Sequence, residues 1–77
     1  MTYYYWFDTE HAVLYRGERD EEGNKDRDTE QAVLWDIYER ADANPYPETG
    51  EEELESWDRI DHYIEEMLGF LPEYEVN

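Results

Sequence analysis

Carboxylates dominate this chain, because 23 of its 77 residues are Asp or Glu and only six are Lys or Arg. The formal net charge is therefore −17. A chain of this length buries only about 60% of its unfolded surface, so its core is small and most carboxylates must stay in water. The length allows one domain, and we expect residues 1–77 to form a single acidic mini-domain.

Aromatic side chains indicate that this acidic chain folds. Three Trp, eight Tyr and two Phe make up 17% of the residues, whereas disordered acidic segments contain few aromatic residues. The absence of cysteine excludes disulfides and thiolate nucleophiles. We find neither a secretory signal nor an apolar run of the roughly 20 residues that a membrane span needs, and we expect a cytoplasmic protein.

The N-terminal pattern predicts a β-hairpin. Thr2–Asp8 and Ala12–Arg16 are rich in strand-forming residues, and a short connection between them suits an antiparallel pair. Alternation of side chains gives both faces of this hairpin aromatic residues. The next segment, residues 17–27, has turn residues and no apolar side chain, so we predict a mobile loop there.

Two helices are predicted after this loop. The first begins at Asp28, which fits a capping box with Gln31. It ends near Ala43, because Pro45 disfavours helical geometry at the residue before it. The second begins after Thr49, where another capping box is found, and ends at Gly69. Its apolar residues recur at helical spacing, as Leu54, Trp57, Ile60, Ile64, Met67 and Leu68.

These elements predict the fold class α+β. An N-terminal antiparallel β-hairpin is followed by two α-helices that pack on one of its faces, in the order ββαα. Residues 73–77 are predicted either as a frayed end or as a short C-terminal third strand.

The carboxylates of the second helix gather opposite its apolar stripe. Like charges three or four residues apart repel by a few tenths of a kcal/mol per pair, so selection for stability alone would place lysines among them. We therefore predict a partner-binding surface with an aromatic anchor. Its candidate residues are Glu51, Glu52, Glu55, Asp58, Glu65 and Glu66 on the second helix, Asp36 and Glu39 on the first, and Trp35 as the anchor.

The sign of the charge restricts the partners. Binding to nucleic acid or to an anionic membrane needs basic residues, and this chain has one Lys and five Arg. A basic partner is favoured, because complementary potentials steer association. A folded chain of this mass exposes roughly 5,000 Å², or about 220 Å² per carboxylate. Concentrating the carboxylates on half of this surface would match the roughly 110 Å² per phosphate of duplex DNA.

In length, acidity and lack of cysteine, the chain resembles the small DNA-mimic inhibitors that phages encode against CRISPR effectors, restriction enzymes and uracil-excising glycosylases. The resemblance covers overall character and no sequence motif. It implies a non-enzymatic inhibitor of the anti-CRISPR or anti-restriction type. Such an inhibitor would block the nucleic-acid site of a basic protein, for example a CRISPR effector, a restriction enzyme or another DNA-processing enzyme.

Other function classes fit the same composition. A salt-adapted halophilic protein is also acidic and poor in lysine, and a small antitoxin-like module would bind one protein partner. The two histidines and the acidic loop lack the spacing of zinc or calcium sites, and no Gly-rich phosphate loop or nucleophile motif is present. We expect no enzymatic activity, no cofactor and no metal. A homodimer formed through an aromatic strand face also stays open, although two chains of charge −17 repel each other.

Overall fold

In the computed structural model, which describes residues 2–77, the chain consists of two compact units. The sheet unit contains residues 2–35 and 73–77, and the helical unit contains residues 36–72. The fold class is α+β, as predicted. The elements in chain order are β1 (Tyr3–Asp8), β2 (Val13–Arg19), β3 (Lys25–Leu34), α1 (Ile37–Ala41), α2 (Gly50–Leu68) and β4 (Tyr74–Val76).

The sheet unit is a four-stranded sheet in the order β3-β2-β1-β4. The predicted hairpin is present as the antiparallel pair β1 and β2, in which Phe7 lies opposite Leu14. On the next strand Leu34 lies opposite Leu14, so these three buried side chains form an apolar row across the sheet. Residues 74–76 do form a C-terminal strand, and β4 pairs with β1 in parallel.

The predicted helix from Asp28 to Ala43 is wrong over its first part, which forms strand β3 instead. Only α1 is helical in this segment, so the order ββαα becomes βββααβ within residues 2–77. The strand lies at an edge of the sheet, where half of its ten side chains are exposed and Leu34 alone is buried. It therefore lacks the alternation of apolar and polar residues that indicates a strand in sequence.

The predicted loop over residues 17–27 is also wrong. This segment contains the end of β2, the beginning of β3 and the turn that joins them in a second hairpin. The carboxylate of Asp20 holds the turn: its Oδ1 accepts hydrogen bonds of 2.9 Å from the backbone N–H groups of Glu22 and Asn24. A side chain that binds its own backbone in this way replaces the apolar contacts that the segment lacks. The polar sequence marks a closed turn and not a mobile loop.

The helical unit packs the short helix α1 against α2. Helix α2 has the predicted boundaries: the Thr49 hydroxyl accepts a 3.1 Å hydrogen bond from the Glu52 N–H, and Gly69 ends the helix with φ 86°. Its buried residues are Ser56, Ile60 and Ile64.

Two members of the predicted apolar stripe face water: Leu54 is 70% exposed and Met67 is 54% exposed. Trp57 and Leu68 are half-buried. Leu54 lies six residues before Ile60, which places it about 120° away around the helix. Met67 is the penultimate residue of the helix.

A bulge in β3 reshapes the sheet around Gly17. Arg16 pairs with Gln31 and Glu18 pairs with Asp26, so four residues of β3 lie opposite Gly17 alone. On its other side Gly17 lies opposite Tyr4 of β1. A Cβ atom at position 17 would lie 2.3 Å from Cζ of Tyr4. The missing side chain thus lets the Tyr4 ring cross β2 towards the bulge.

We predict that Gly17→Ala lowers the free energy of unfolding by about 1–3 kcal/mol, because the new methyl group displaces the Tyr4 ring. Gly50→Ala is the matched control, since no heavy atom lies within 4 Å of a Cβ at that position. It should leave stability unchanged or raise it by up to about 1 kcal/mol. Urea unfolding followed by far-UV circular dichroism measures both, and equal stabilities would contradict the close approach.

Candidate functional site

The water-facing side of α2 carries six of the predicted site residues, and we call this set the acidic face. Every one of these side chains is exposed. At about 100° per residue, five of them fall within an arc of about 100°, and Glu52 borders this arc. The acidic face consists of Glu51, Glu52, Glu55, Asp58, Glu65 and Glu66.

The charge density of α2 is close to that of one DNA strand. Its 19 residues contain eight carboxylates and one arginine, and a helix of that length spans about 28 Å. This gives one net negative charge per about 4 Å of helix axis, compared with one phosphate per 3.4 Å along a single strand of duplex DNA. The average spacing of net charge along the axis of α2 is therefore close to that of the phosphates along one DNA strand.

Arg59 is the counter-charge on this helix. Its NH2 group donates a 3.0 Å hydrogen bond to Glu55, and its NH1 group donates a 3.0 Å hydrogen bond to the Asp42 carboxylate. Hydrogen bonding to Glu55 is the main reason why the pKa of Arg59 is raised. Within residues 2–77, Glu55 is the one member of the acidic face that lies within 4.0 Å of a Lys or Arg nitrogen. The other five carboxylates have no Lys or Arg nitrogen within that distance among the described residues, and Glu66 has the His62 ring at 3.9 Å.

An open groove of about 550 Å³ runs between α1 and α2 beside the acidic face. Arg40 and Arg59 line it together with carboxylates, and the His62 Nε2 lies 3.9 Å from Glu66. The groove therefore presents both signs of charge to a ligand. Its full lining is Arg40, Ala41, Glu55, Asp58, Arg59, His62, Tyr63 and Glu66.

The three remaining predicted site residues are also exposed, but they do not all lie in one unit. Asp36 precedes α1 with a left-handed φ of 53°, and Glu39 lies in the first turn of that helix. Both belong to the helical unit, as the acidic face does. Trp35 follows β3 in the sheet unit, and its side chain is 53% exposed.

The exposed Leu54 was missed as a candidate, because its helical spacing suggested a core residue. The signal that could have found it is its angle on the helical wheel. It lies about 60° or less from both Glu51 and Asp58, which are members of the acidic face.

Four of the six basic residues lie in the sheet unit, where they surround tyrosine rings. The guanidinium of Arg16 lies 4.6 Å from the centre of the Tyr3 ring. Three further cations form a set that we call the Tyr4 cluster, at 5.5–5.7 Å from the centre of the Tyr4 ring. This set consists of Arg19, Lys25 and Arg27.

Two carboxylates balance the Tyr4 cluster. Glu75 forms an ion pair with Lys25, and Glu30 accepts a 2.8 Å hydrogen bond from Arg27. Glu30 also accepts a 2.6 Å hydrogen bond from the Tyr4 hydroxyl. Burial, together with this hydrogen bond, raises the pKa of Tyr4 to about 12. The cations of the sheet unit are therefore used in holding the sheet together.

The pKa of Glu30 reflects two opposing effects. Burial alone would raise it, but hydrogen bonds from Tyr4 and Arg27 outweigh the burial and hold it below the ordinary value. The buried indole N–H of Trp6 has no partner of ordinary hydrogen-bond geometry, yet it lies close enough to Glu30 to lower this pKa further. The ionised form of Glu30 therefore belongs to the folded state.

No known protein family, curated protein or solved structure matches this chain. Across residues 2–77, neither helix combines the length and the apolar character that crossing a membrane requires. The same residues contain no group of three or more His, Asp or Glu side chains that could hold a metal ion.

We predict that Glu30→Gln lowers the free energy of unfolding at pH 7 by about 1–2 kcal/mol, because it weakens charge-assisted hydrogen bonds. The ionised Glu30 stabilises the fold above its unfolded pKa, near 4.5. This contribution is lost as the pH falls through the lowered pKa of the folded state. The difference between wild type and variant should therefore shrink below pH 4.5. Urea unfolding at a series of pH values measures this difference in the free energy of unfolding. Glu21→Gln, at an exposed position, is the control. A difference that does not change with pH would contradict the role of ionised Glu30.

Proposed function

We propose that this chain is a non-enzymatic inhibitor that binds a basic nucleic-acid-binding protein and blocks its nucleic-acid site. The acidic face stands in for a row of phosphates. The observation that carries the proposal is the charge density of α2, at one net negative charge per about 4 Å of axis. The partners that fit are a CRISPR effector, a restriction enzyme or another DNA-processing enzyme, met in the cytoplasm of the host cell.

The positions of the carboxylates support a role in binding over a role in helix stability. Glu51 and Glu52 lie in the first turn, where the helix dipole favours negative charge. Glu65 and Glu66 lie in the last turn, where the dipole disfavours it, and that turn contains no basic residue. A cationic partner would relieve this repulsion. The two carboxylates that destabilise the free helix would therefore strengthen binding.

The helix also prepares the charges for binding. Its backbone fixes the Cα positions of these residues on one face before a partner arrives, so less backbone conformational entropy is lost in the complex. The lysines and arginines of the partner would replace the cations that surround the carboxylates, as they do around phosphates. The affinity should therefore fall steeply with salt concentration, as it does for nucleic acid.

The experiment that tests this proposal is capture from a host-cell lysate at moderate salt, followed by elution with duplex DNA. Retention of one nucleic-acid-binding protein, and its release by DNA, would support mimicry. A retained partner that DNA does not release would contradict it. An antitoxin-like module would give that second result, because its contacts with the partner would be mainly apolar.

Reversing two charges of the acidic face should weaken binding to the captured protein. We predict at least about a tenfold loss of affinity for Asp58→Lys with Glu66→Lys, because two attractive contacts become repulsive. Glu21→Lys with Asp28→Lys is the matched control, with the same change in net charge on exposed residues of the sheet unit. Titration calorimetry measures both variants. Equal losses would mean that net charge matters and the acidic face does not.

A salt-adapted protein would depend on salt for its fold. We predict instead that this chain is fully folded at about 0.15 M salt, because the buried apolar row and the Tyr4 cluster do not need ions to form. Near-UV circular dichroism between low and molar salt tests this. A fold that forms only in molar salt would favour salt adaptation over inhibition.

A further inference from the structure

Leu54 is a large apolar side chain that is held in water among carboxylates. It is 70% exposed, more than Met67 or any other apolar residue of α2. Glu51 and Asp58, three and four residues away on the helix, lie beside it. An exposed leucine gains nothing in the free protein, whereas its burial in a complex would be favourable.

Leu54 forms part of a shallow apolar depression on the first two turns of α2. The depression has a volume of about 890 Å³, and Trp57 supplies its second large side chain. Glu51 and Glu53 lie at its rim. It therefore has the composition of an interface hot spot, which is an apolar centre surrounded by polar groups.

The charge around this depression determines what can occupy it. Residues 50–58 contain four glutamates and one aspartate but no lysine or arginine. The nearest arginine in sequence, Arg59, is engaged with Glu55 and Asp42. An anionic or purely apolar occupant would meet uncompensated carboxylates. A cationic segment with one large apolar side chain complements both features.

We propose that Leu54 and Trp57 form the anchor of the interface, and that they take an apolar side chain which arginines or lysines flank in the partner. This inference rests on the proposed function and adds to it an apolar contact that DNA itself would not make with the partner. The phosphate backbone of DNA has no apolar counterpart to Leu54, so the anchor would let the chain select one basic protein among many. We assign this role to Leu54 and Trp57, whereas the sequence predicted Trp35, which lies in the sheet unit.

Two peptides test the anchor on the full-length chain. The first is a short arginine-rich peptide with one central leucine, and the second has serine at that position. We expect the leucine peptide to bind at least about fivefold tighter, and Leu54→Ala to remove this difference while the affinity for the serine peptide is unchanged. Leu54→Gln, which keeps the size of the side chain, should act in the same way. Met67→Ala is the matched control and should keep the full difference.

The outcomes separate this inference from the proposed function. If wild type binds both peptides with equal affinity and both affinities fall with salt, the proposed anchor is wrong and mimicry by charge stands. If wild type prefers the leucine peptide but Leu54→Ala keeps that preference, the anchor lies elsewhere and the inference is also overturned. If neither peptide binds at low salt, both proposals fail.

Discussion

The placement of the six basic residues is the constraint on which the rest of this structure depends. With 23 carboxylates in the chain, each cation used in one place leaves several carboxylates without a counter-charge elsewhere. The sheet unit uses four cations, and three of them lie around one buried tyrosine, Tyr4. Gly17 makes this arrangement feasible, because a side chain there would collide with the Tyr4 ring. Most of the basic residues thus stabilise the sheet, and few remain to balance the carboxylates of α2.

Helix α2, in contrast, has few basic residues to balance its carboxylates. Arg59 is its single basic residue besides His62, and it is bound to Glu55 and Asp42. The last turn keeps Glu65 and Glu66 against the helix dipole, so its charge is not explained by helix stability. Our proposal gives these features one cause: α2 presents carboxylates to the cationic site of a partner, and the exposed Leu54 gives that contact an apolar centre.

The sequence predicted the parts of the fold that have strong local signals. Thr49 and Gly69 gave the boundaries of α2, and the aromatic run after Thr2 gave the first hairpin. Strand β3 could not be predicted in this way, because it is an edge strand with a bulge, and tertiary pairing with β2 overrides the helical spacing of its residues. That the carboxylates of α2 share one exposed face was predictable from their spacing alone. Leu54 was assigned to the apolar stripe by its spacing, although its angle on the helical wheel places it beside Glu51 and Asp58.

The structure of the chain bound to its captured target is the measurement that tests the central claim most directly. The account predicts that the acidic face lies along the positively charged groove where the target holds nucleic acid, with carboxylates near the positions of phosphates. It also predicts that the sheet unit keeps its Tyr4 cluster intact. A complex in which that groove is open and the contacts come from the sheet unit would contradict the account.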